Sequence, residues 1–582
     1  MKKVTPPGTF DRTSALARLT SERFDLAVIG AGVTGAGVAL DAASRGLKTA
    51  LIEKGDFASG TSSKSSKLVH GGLRYLEQRE FGLVYESLHE RQRLLDNAPH
   101  LVEPQPFLIP LFGKGGVVDA TIARTYSLAL WLYDMTGGIR IGKRHKRISC
   151  AEAAAHMPTL RADRLAAGFI YYDARVDDAR LALALARTAV IDHGAVAASY
   201  VRAGGLAKDA SGRITGVEID GPGVDEGSVV EALSVVNATG VWADEVRQLD
   251  EGSDPASIRP AKGIHVTVAH EKLPCDIAAV IPVRKDHRSI FVIPWAWGGQ
   301  TYIGTTDTDY RGPLDDPECT PADVAYLLDA VNDYVSEPLT VADVTGTWAG
   351  LRPLVASGKR SRSARTADLS RRHFISASPT GMVTVTGGKL TTYRKMASDT
   401  VDTVIDVLGH RRLRCRTKNM RLRGAAGLDQ LTAPGASERW GTTREVLDHL
   451  ARRYGSESVA ILDLCRDRPD LARQLVPGTP YLSAEAVFAV RAEMAQTLED
   501  VLTRRTRALL LEHRATVDAA PTVADLMAGE LGWDTAERDR QVKEFLDLAD
   551  RLASAAGLPM GARPSEPSEV PASADLSMGD PR

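Results

Sequence analysis

Residues 24–53 read FDLAVIGAGVTGAGVALDAASRGLKTALIE, and this stretch decides the fold. Leu26-Ala27-Val28-Ile29 is an unbroken apolar run, as expected of a strand buried in a parallel sheet. Gly30, Gly32 and Gly35 follow as G-x-G-x-x-G. The first allows a tight turn, the second lets backbone approach a pyrophosphate, and the third lets a helix lie close on the sheet. Ala36, Ala39, Ala42 and Ala43 favour close packing of that helix, and Gly46 suits its C-terminal cap. A second strand over residues 48–52 delivers Glu53 about twenty residues past the glycines, where an acid can hold a ribose hydroxyl. Strand, glycines, helix, strand and acid in register predict a dinucleotide site in a Rossmann-type α/β domain.

The chain has 582 residues, enough for about three or four domains. Its net charge is −2, which excludes the global footprint of a nucleic-acid binder. Cys150, Cys275, Cys319, Cys415 and Cys465 make neither a metal-ligand spacing nor a disulfide framework, so no metal is expected and a reducing cytoplasm is. Lys2 and Lys3 are followed by no apolar core, and no secretory signal is expected. Nowhere does an apolar run reach the length of a bilayer span, so any membrane association is expected to be peripheral.

Working outward, residues 1–23 read as a solvated arm with one short helical patch. Residues 55–77, GDFASGTSSKSSKLVHGGLRYLE, crowd the hydroxyls of Thr61, Ser62, Ser63, Ser65 and Ser66 beside the proposed pyrophosphate. Residues 81–95 and 124–134 have helical spacing, the aromatics of the second being assigned to core. A helix is expected from Asp177-Asp178, whose carboxylates suit its N-terminus. A buried strand over 229–240 ends in VNATG, and 260–308 is β-rich. Thr320-Pro321 starts another helix. Beyond residue 408 helices dominate, with a capping box at Thr442 and Glu445. One face carries Val487, Val490, Met494, Leu498 and Val501, and a last helix covers 536–555. Residues 140–147, RIGKRHKR, and 410–423, HRRLRCRTKNMRLR, are densely basic. The proline- and serine-rich residues 558–582 are expected to be disordered.

VIGAGVTGAG, TSSKSSKLVHGGLRYLE, VNATG, KGIHV, IGTTD, GLRPL and GGKLTTYRK together resemble the FAD-dependent glycerol-3-phosphate dehydrogenases of the respiratory, membrane-linked type. The resemblance implies an FAD-binding domain of the glutathione-reductase and amino-acid-oxidase kind over residues 24–408. Interleaved with it is an antiparallel β-rich substrate domain, its cap segments roughly 80–165 and 262–345. A helical C-terminal domain over 409–557 follows. FAD would be held by Gly30, Gly32, Gly35 and Glu53, by Thr61, Ser62, Ser63, Lys67, His70, Gly71 and Gly72, by Ala238 and Gly240, and by Gly388, Lys389, Leu390 and Thr391.

The implied substrate is glycerol 3-phosphate, whose dianionic phosphate suits planar arginine forks. Arg352 and Arg365 resemble the family's phosphate ligands, with Arg360 and Arg362 as further basic candidates, while Arg74 and Tyr75 line the substrate pocket. His265 is the candidate base, because imidazole titrates near neutral pH. Its other readings are a core histidine or a substrate hydroxyl ligand, and a pocket arginine, Arg352 among them, could instead carry the catalysis by stabilising an alkoxide whose proton goes to water. Lys389 resembles the residue whose ammonium sits near the pyrimidine end of the flavin ring and favours its negative charge. Asp307 more plausibly holds the pocket loops. Electrons would pass to a quinone, so one of the basic runs would dock on an anionic membrane surface at the inner face of the cell membrane. Either run can instead be a solvated face or a homodimer contact. An oxygen-using oxidase of the same fold and a non-catalytic flavoprotein scaffold are the competing functions.

Overall fold

The computed structural model describes residues 9–73, 80–113, 120–253, 255–284, 288–295, 299–355, 372–411 and 413–559. Helix α1 (Arg12–Ser21) leads into β1 (Phe24–Ile29), α2 (Val33–Ser44) and β2 (Thr49–Ile52). Gly32 caps α2, and Gly30 adopts a φ of +98° that favours glycine. A Cβ on Gly35 would lie 1.8 Å from the Gly30 carbonyl oxygen, so only glycine lets the helix seat on the turn. From residue 9 on, the N-terminal arm is packed along one side and not wholly solvated as expected. Ala15 and Leu19 are buried against the sheet, and the rings of Phe10 and Phe57 lie 5.2 Å apart. A parallel sheet must be covered on both faces, and α1 covers part of one.

The chain continues through β3 (Leu68–Val69), α3 (Phe81–Asn97), β4 (Val102–Phe112), α4 (Ala120–Met135), β5 (Lys146–Ser149) and β6 (Leu165–Val176). Then come α5 (Asp178–Ile191), β7 (Val196–Ala198), β8 (Arg202–Lys208), β9 (Ile214–Asp220) and β10 (Val229–Asn237). Next are β11 (Ile258–Ala269), β12 (Ala278–Pro282), β13 (Ser289–Pro294), β14 (Gln300–Gly304) and β15 (Thr308–Asp309). A capping box of Thr320 and Asp323 starts α6 (Pro321–Asn332), followed by β16 (Val344–Val355), β17 (His373–Ala377), β18 (Met382–Gly387) and α7 (Tyr393–Val407).

These strands form two sheets. The first runs β17-β18-β10-β1-β2-β7 and continues from β10 into the β9–β8 hairpin. Val28 of β1 is flanked in parallel by Val236 of β10 and Leu51 of β2, and α2 packs on α5 and α7 over this sheet. The second runs β15-β11-β14-β13-β12-β4-β6-β3, with β16 on the other edge of β11 and β5 on β6. Its pairings are antiparallel except β12 with β4, the roof expected of a substrate domain. The sheet reaches Val176 and Val355, beyond both expected cap segments.

The C-terminal region is helical: α8 (Arg444–Tyr454), α9 (Ser483–Glu493), α10 (His513–Leu531) and α11 (Thr535–Ala556) are its longest helices among the described residues. The cap of α8 is Thr443, which accepts from the Val446 N–H, and not the expected Thr442–Glu445 box. The single apolar face expected through Met494 and Val501 is broken. Met494 turns left-handed at φ +57°, and a π-helical turn, Asp500–Arg505, follows. The Asp500 carboxylate accepts the Gln496 and Thr497 N–H groups, and Thr497 Oγ1 accepts the Asp500 N–H, which caps the start of that turn. No helix among the described residues is long and apolar enough to cross a membrane.

Candidate active site

One cavity of about 1190 Å³ runs between the two sheets. It exceeds the roughly 300–1,000 Å³ of sites for drug-sized molecules, leaving room for a dinucleotide and a second small ligand. Gly30, Gly32, Glu53, Thr61, Ser62, Ala238 and Gly240 line one end. A Cβ on Gly30 would lie 2.9 Å from the Ala238 carbonyl oxygen, so the two strand ends meet there. Ser62 Oγ accepts the Val33 N–H at 2.9 Å, at the positive end of α2. Glu53 is half-buried and accepts the Ala31 and Gly55 N–H groups at 2.7 and 3.0 Å; desolvation raises its pKa. A glycine cradle, a helix N-terminus and a carboxylate acceptor on the cavity wall fit the phosphate and ribose of a dinucleotide.

Farther along, His70, Gly72, Gly388, Lys389, Leu390 and Thr391 line the wall. Gly387 and Gly388 both have positive φ, which turns β18 toward α7. A Cβ on Gly388 would lie 2.3 Å from Met396 Sδ, so the chain passes close to α7 there. The Lys389 ammonium donates to Ser87 Oγ at 3.3 Å. Four expected cofactor residues do not line the cavity. Gly35 acts in helix packing. Gly71 lies beneath the wall, its N–H donating to Tyr133 Oη and Asp173. Ser63 is buried, and its carbonyl accepts from Lys67. Lys67 is itself buried, 3.0 Å from Asp178, and burial pushes its pKa down to about 8.

The opposite wall is built by strand register. His265 of β11 lies across from Gly304 of β14 on one side and Trp348 of β16 on the other. A Cβ on Gly304 would come within 2.0 Å of the imidazole, and the Trp348 ring stacks on it at 4.6 Å. His265 Nε2 shares a 2.9 Å hydrogen bond with Ser66 Oγ, while buried Nδ1 has no partner among the described residues. Burial, reinforced by the charges of Lys67 and Arg352, holds this imidazole well below the usual histidine range and therefore neutral. Arg352 crosses the same strand over Gly263, where a Cβ would lie 2.6 Å from its Nη2. It donates to the Thr306 carbonyl at 3.2 Å, Thr305 Oγ1 at 3.3 Å and Asp307 at 3.4 Å. Asp307 thus ties the pocket loop to Arg352, and its carbonyl accepts from Arg288 at 2.9 Å.

Arg74, Tyr75, Arg360, Arg362 and Arg365 lie outside the described residues. Sequence reasoning missed Trp348, Asp173 and the positioning role of Ser66. Asp173 lines the cavity and accepts from Tyr133 at 2.7 Å and from Arg91 at 2.6 Å. The aspartate in YYDAR gave no signal, because its partners come from α3 and α4.

The outer face of α4 departs from the expected core assignment. Leu130 and Tyr133 are buried, but Leu128 is 64% exposed, Trp131 58% and Met135 67%. Phe81 and Tyr85 of α3 are also exposed. Both helices contact the turn Gly138–Ile141 that opens the basic run 140–147.

Comparison with known proteins adds four findings. Residues 25–394 match the FAD dependent oxidoreductase family, and 415–538 match the C-terminal domain of alpha-glycerophosphate oxidase. The chain is 41% identical over 547 residues to glycerol-3-phosphate dehydrogenase 2 of Mycobacterium tuberculosis, covering 93% of this chain and 90% of that protein. It is 36% identical to the mitochondrial glycerol-3-phosphate dehydrogenase of Mesocricetus auratus, covering 90% and 72%. Among solved structures, the Bacillus halodurans glycerol-3-phosphate dehydrogenase complexed with FAD superposes with a TM-score of 0.75 at 31% identity, covering 95% and 99%.

Proposed function

The chain belongs to the FAD-dependent oxidoreductases and, within them, to the glycerol-3-phosphate dehydrogenases, and from that premise we propose how its cavity works. The reaction is oxidation of sn-glycerol 3-phosphate to dihydroxyacetone phosphate, with the electrons passed on to a quinone. When bound, FAD supplies the acceptor for the hydride leaving carbon 2. Arg352, with Arg74 and Arg365, binds the phosphate dianion through charge-assisted hydrogen bonds. This leaves the carbon-2 hydroxyl facing His265. The neutral imidazole takes the hydroxyl proton, and Ser66 and Trp348 hold the ring in place for the transfer. Lys389 Nζ supplies positive charge where negative charge develops on the cofactor.

The observation that carries this reading is that one cavity holds the dinucleotide cradle and a wall bearing His265 and Arg352. The exposed apolar face of α4 beside the basic run supports peripheral docking on an anionic bilayer, where a quinone is available. The test is anaerobic addition of glycerol 3-phosphate to the FAD-loaded protein. Visible flavin absorbance should bleach, and a soluble quinone should restore it faster than oxygen does. Faster recovery with oxygen would make the protein an oxidase, and no bleaching would remove the catalytic reading.

A further inference from the structure

The loop of residues 55–67 carries two contacts that matter to the cavity: Ser62 on the Val33 N–H and Ser66 on His265. Part of its shape is internal, with Lys67 donating to the Ser63 carbonyl at 3.0 Å, and part comes from the sheets, where Trp348 and Tyr302 donate to the Ser65 and Ser66 carbonyls at 3.2 and 3.1 Å. Its other fixed points are buried carboxylates, and arginines of the C-terminal unit grip those. Arg505 sends both ends of its fork to Asp56, at 2.7 and 2.8 Å, and Arg504 Nε donates to the same carboxylate at 2.7 Å. Arg507 donates to Asp178 at 2.5 Å and to Asp177 at 2.8 Å, and weakly to the Ser63 carbonyl at 3.4 Å. Asp178 in turn accepts from Ser65 Oγ at 2.7 Å and from the Ser65 N–H at 3.1 Å. Asp56, Asp178, Arg505 and Arg507 are all buried, which strengthens each pairing and makes each costly to leave half-made.

We propose that the C-terminal helical unit positions the cofactor loop. Arg504 and Arg505 act through Asp56, and Arg507 acts through Asp178, to keep Ser62 at the α2 N-terminus and Ser66 against His265. These arginines are positioning residues, since none lines the cavity. The π-helical turn carries Arg504 and Arg505, which reach one carboxylate from adjacent positions.

The inference rests on the cavity being the FAD site, and the test separates the two. Arg505→Lys keeps the charge but loses the fork. The matched control is Arg187→Lys, which breaks another ion pair of the same seam, Arg187 with Glu457, that does not touch the loop. FAD affinity of the apoprotein is read from quenching of flavin fluorescence, alongside thermal stability. Arg505→Lys should weaken FAD binding about tenfold and lower the limiting rate of flavin reduction. The half-saturating glycerol 3-phosphate concentration should stay unchanged. Arg187→Lys should lose comparable thermal stability with FAD affinity intact. Arg507→Lys, which loses the guanidinium that bridges Asp177 and Asp178, should follow Arg505→Lys and decides the matter if that variant does not fold. Equal FAD affinities in parent, Arg505→Lys and Arg507→Lys, or an equal loss in Arg187→Lys, would overturn the proposal. Failure of the parent protein to take up FAD would instead overturn the site assignment itself.

Discussion

Lys389 offers the cleanest separation of binding from chemistry. It enters the cavity wall from a backbone turn, with its ammonium on Ser87, and the cradle at Gly30 and Ser62 lies at the other end. Lys389→Met should therefore leave FAD bound while slowing flavin reduction by about a hundredfold, the usual loss when one preorganised positive group is removed from a site of developing charge. Stopped-flow absorbance checks it, and an unchanged rate would strip Lys389 of that role. Arg352→Ala should raise the half-saturating glycerol 3-phosphate concentration at least about tenfold, since a charge-assisted bond contributes roughly 1.5–3 kcal/mol. Arg147→Ala should leave it unchanged, because Arg147 is exposed on β5 and does not line the cavity. Matching effects would put the phosphate elsewhere. His265, Arg352 and Lys389 were readable because each sits in a short motif. Trp348 was not, because its stacking on His265 arises from the pairing of β11 with β16, which no local pattern encodes.

Helix α4 joins the cavity to the surface. Tyr126 lines the cavity and Tyr133 reaches Asp173, while Leu128, Trp131 and Met135 point outward. A lone exposed leucine needs no explanation, but several large apolar side chains beside a basic run call for a partner surface. The double variant Trp131→Glu with Met135→Glu should abolish co-sedimentation with phosphatidylglycerol-containing vesicles and leave flavin reduction by glycerol 3-phosphate intact. Replacing Lys143, Arg144 and Arg147 by serine should weaken binding to anionic vesicles only, by about 1 kcal/mol for each basic residue lost. Undiminished sedimentation of the double variant would rule out this face. Helical periodicity located α4 but not its outside, because both faces are apolar and only packing tells them apart. At Met494 the same periodicity misled. Apolar spacing continued, yet the helix ended where the Asp500 carboxylate offered the backbone another partner.

How the C-terminal unit closes on the two sheets was the least legible feature, since TRRTR looks like any arginine-rich run and Asp56 lies 448 residues before Arg504. The closed seam has a pH signature. His100, between α3 and β4, is buried against Gly424, where a Cβ would lie 2.8 Å from its Nε2. Burial, followed by the charge of Arg180, brings its pKa down to about 3. The folded protein therefore keeps this imidazole neutral, whereas the unfolded chain takes up a proton once the pH falls below about 6.5. More protons bound when unfolded means that stability falls with falling pH, from the ordinary histidine range down to about 3. His265 and His513 are lowered as well and act with the same sign, so a single variant is needed to isolate His100. The depressed carboxylates Asp56 and Asp177 also lose stability on acidification, but from about pH 5 downward, as the pH falls into the usual carboxylate range. Between neutral pH and about pH 5, His100→Asn should lose less stability than the parent, by up to about 2 kcal/mol. Urea unfolding midpoints at the two pH values measure the difference. Parallel losses in parent and variant would mean that His100 is already protonated, or reached by water, in the folded seam.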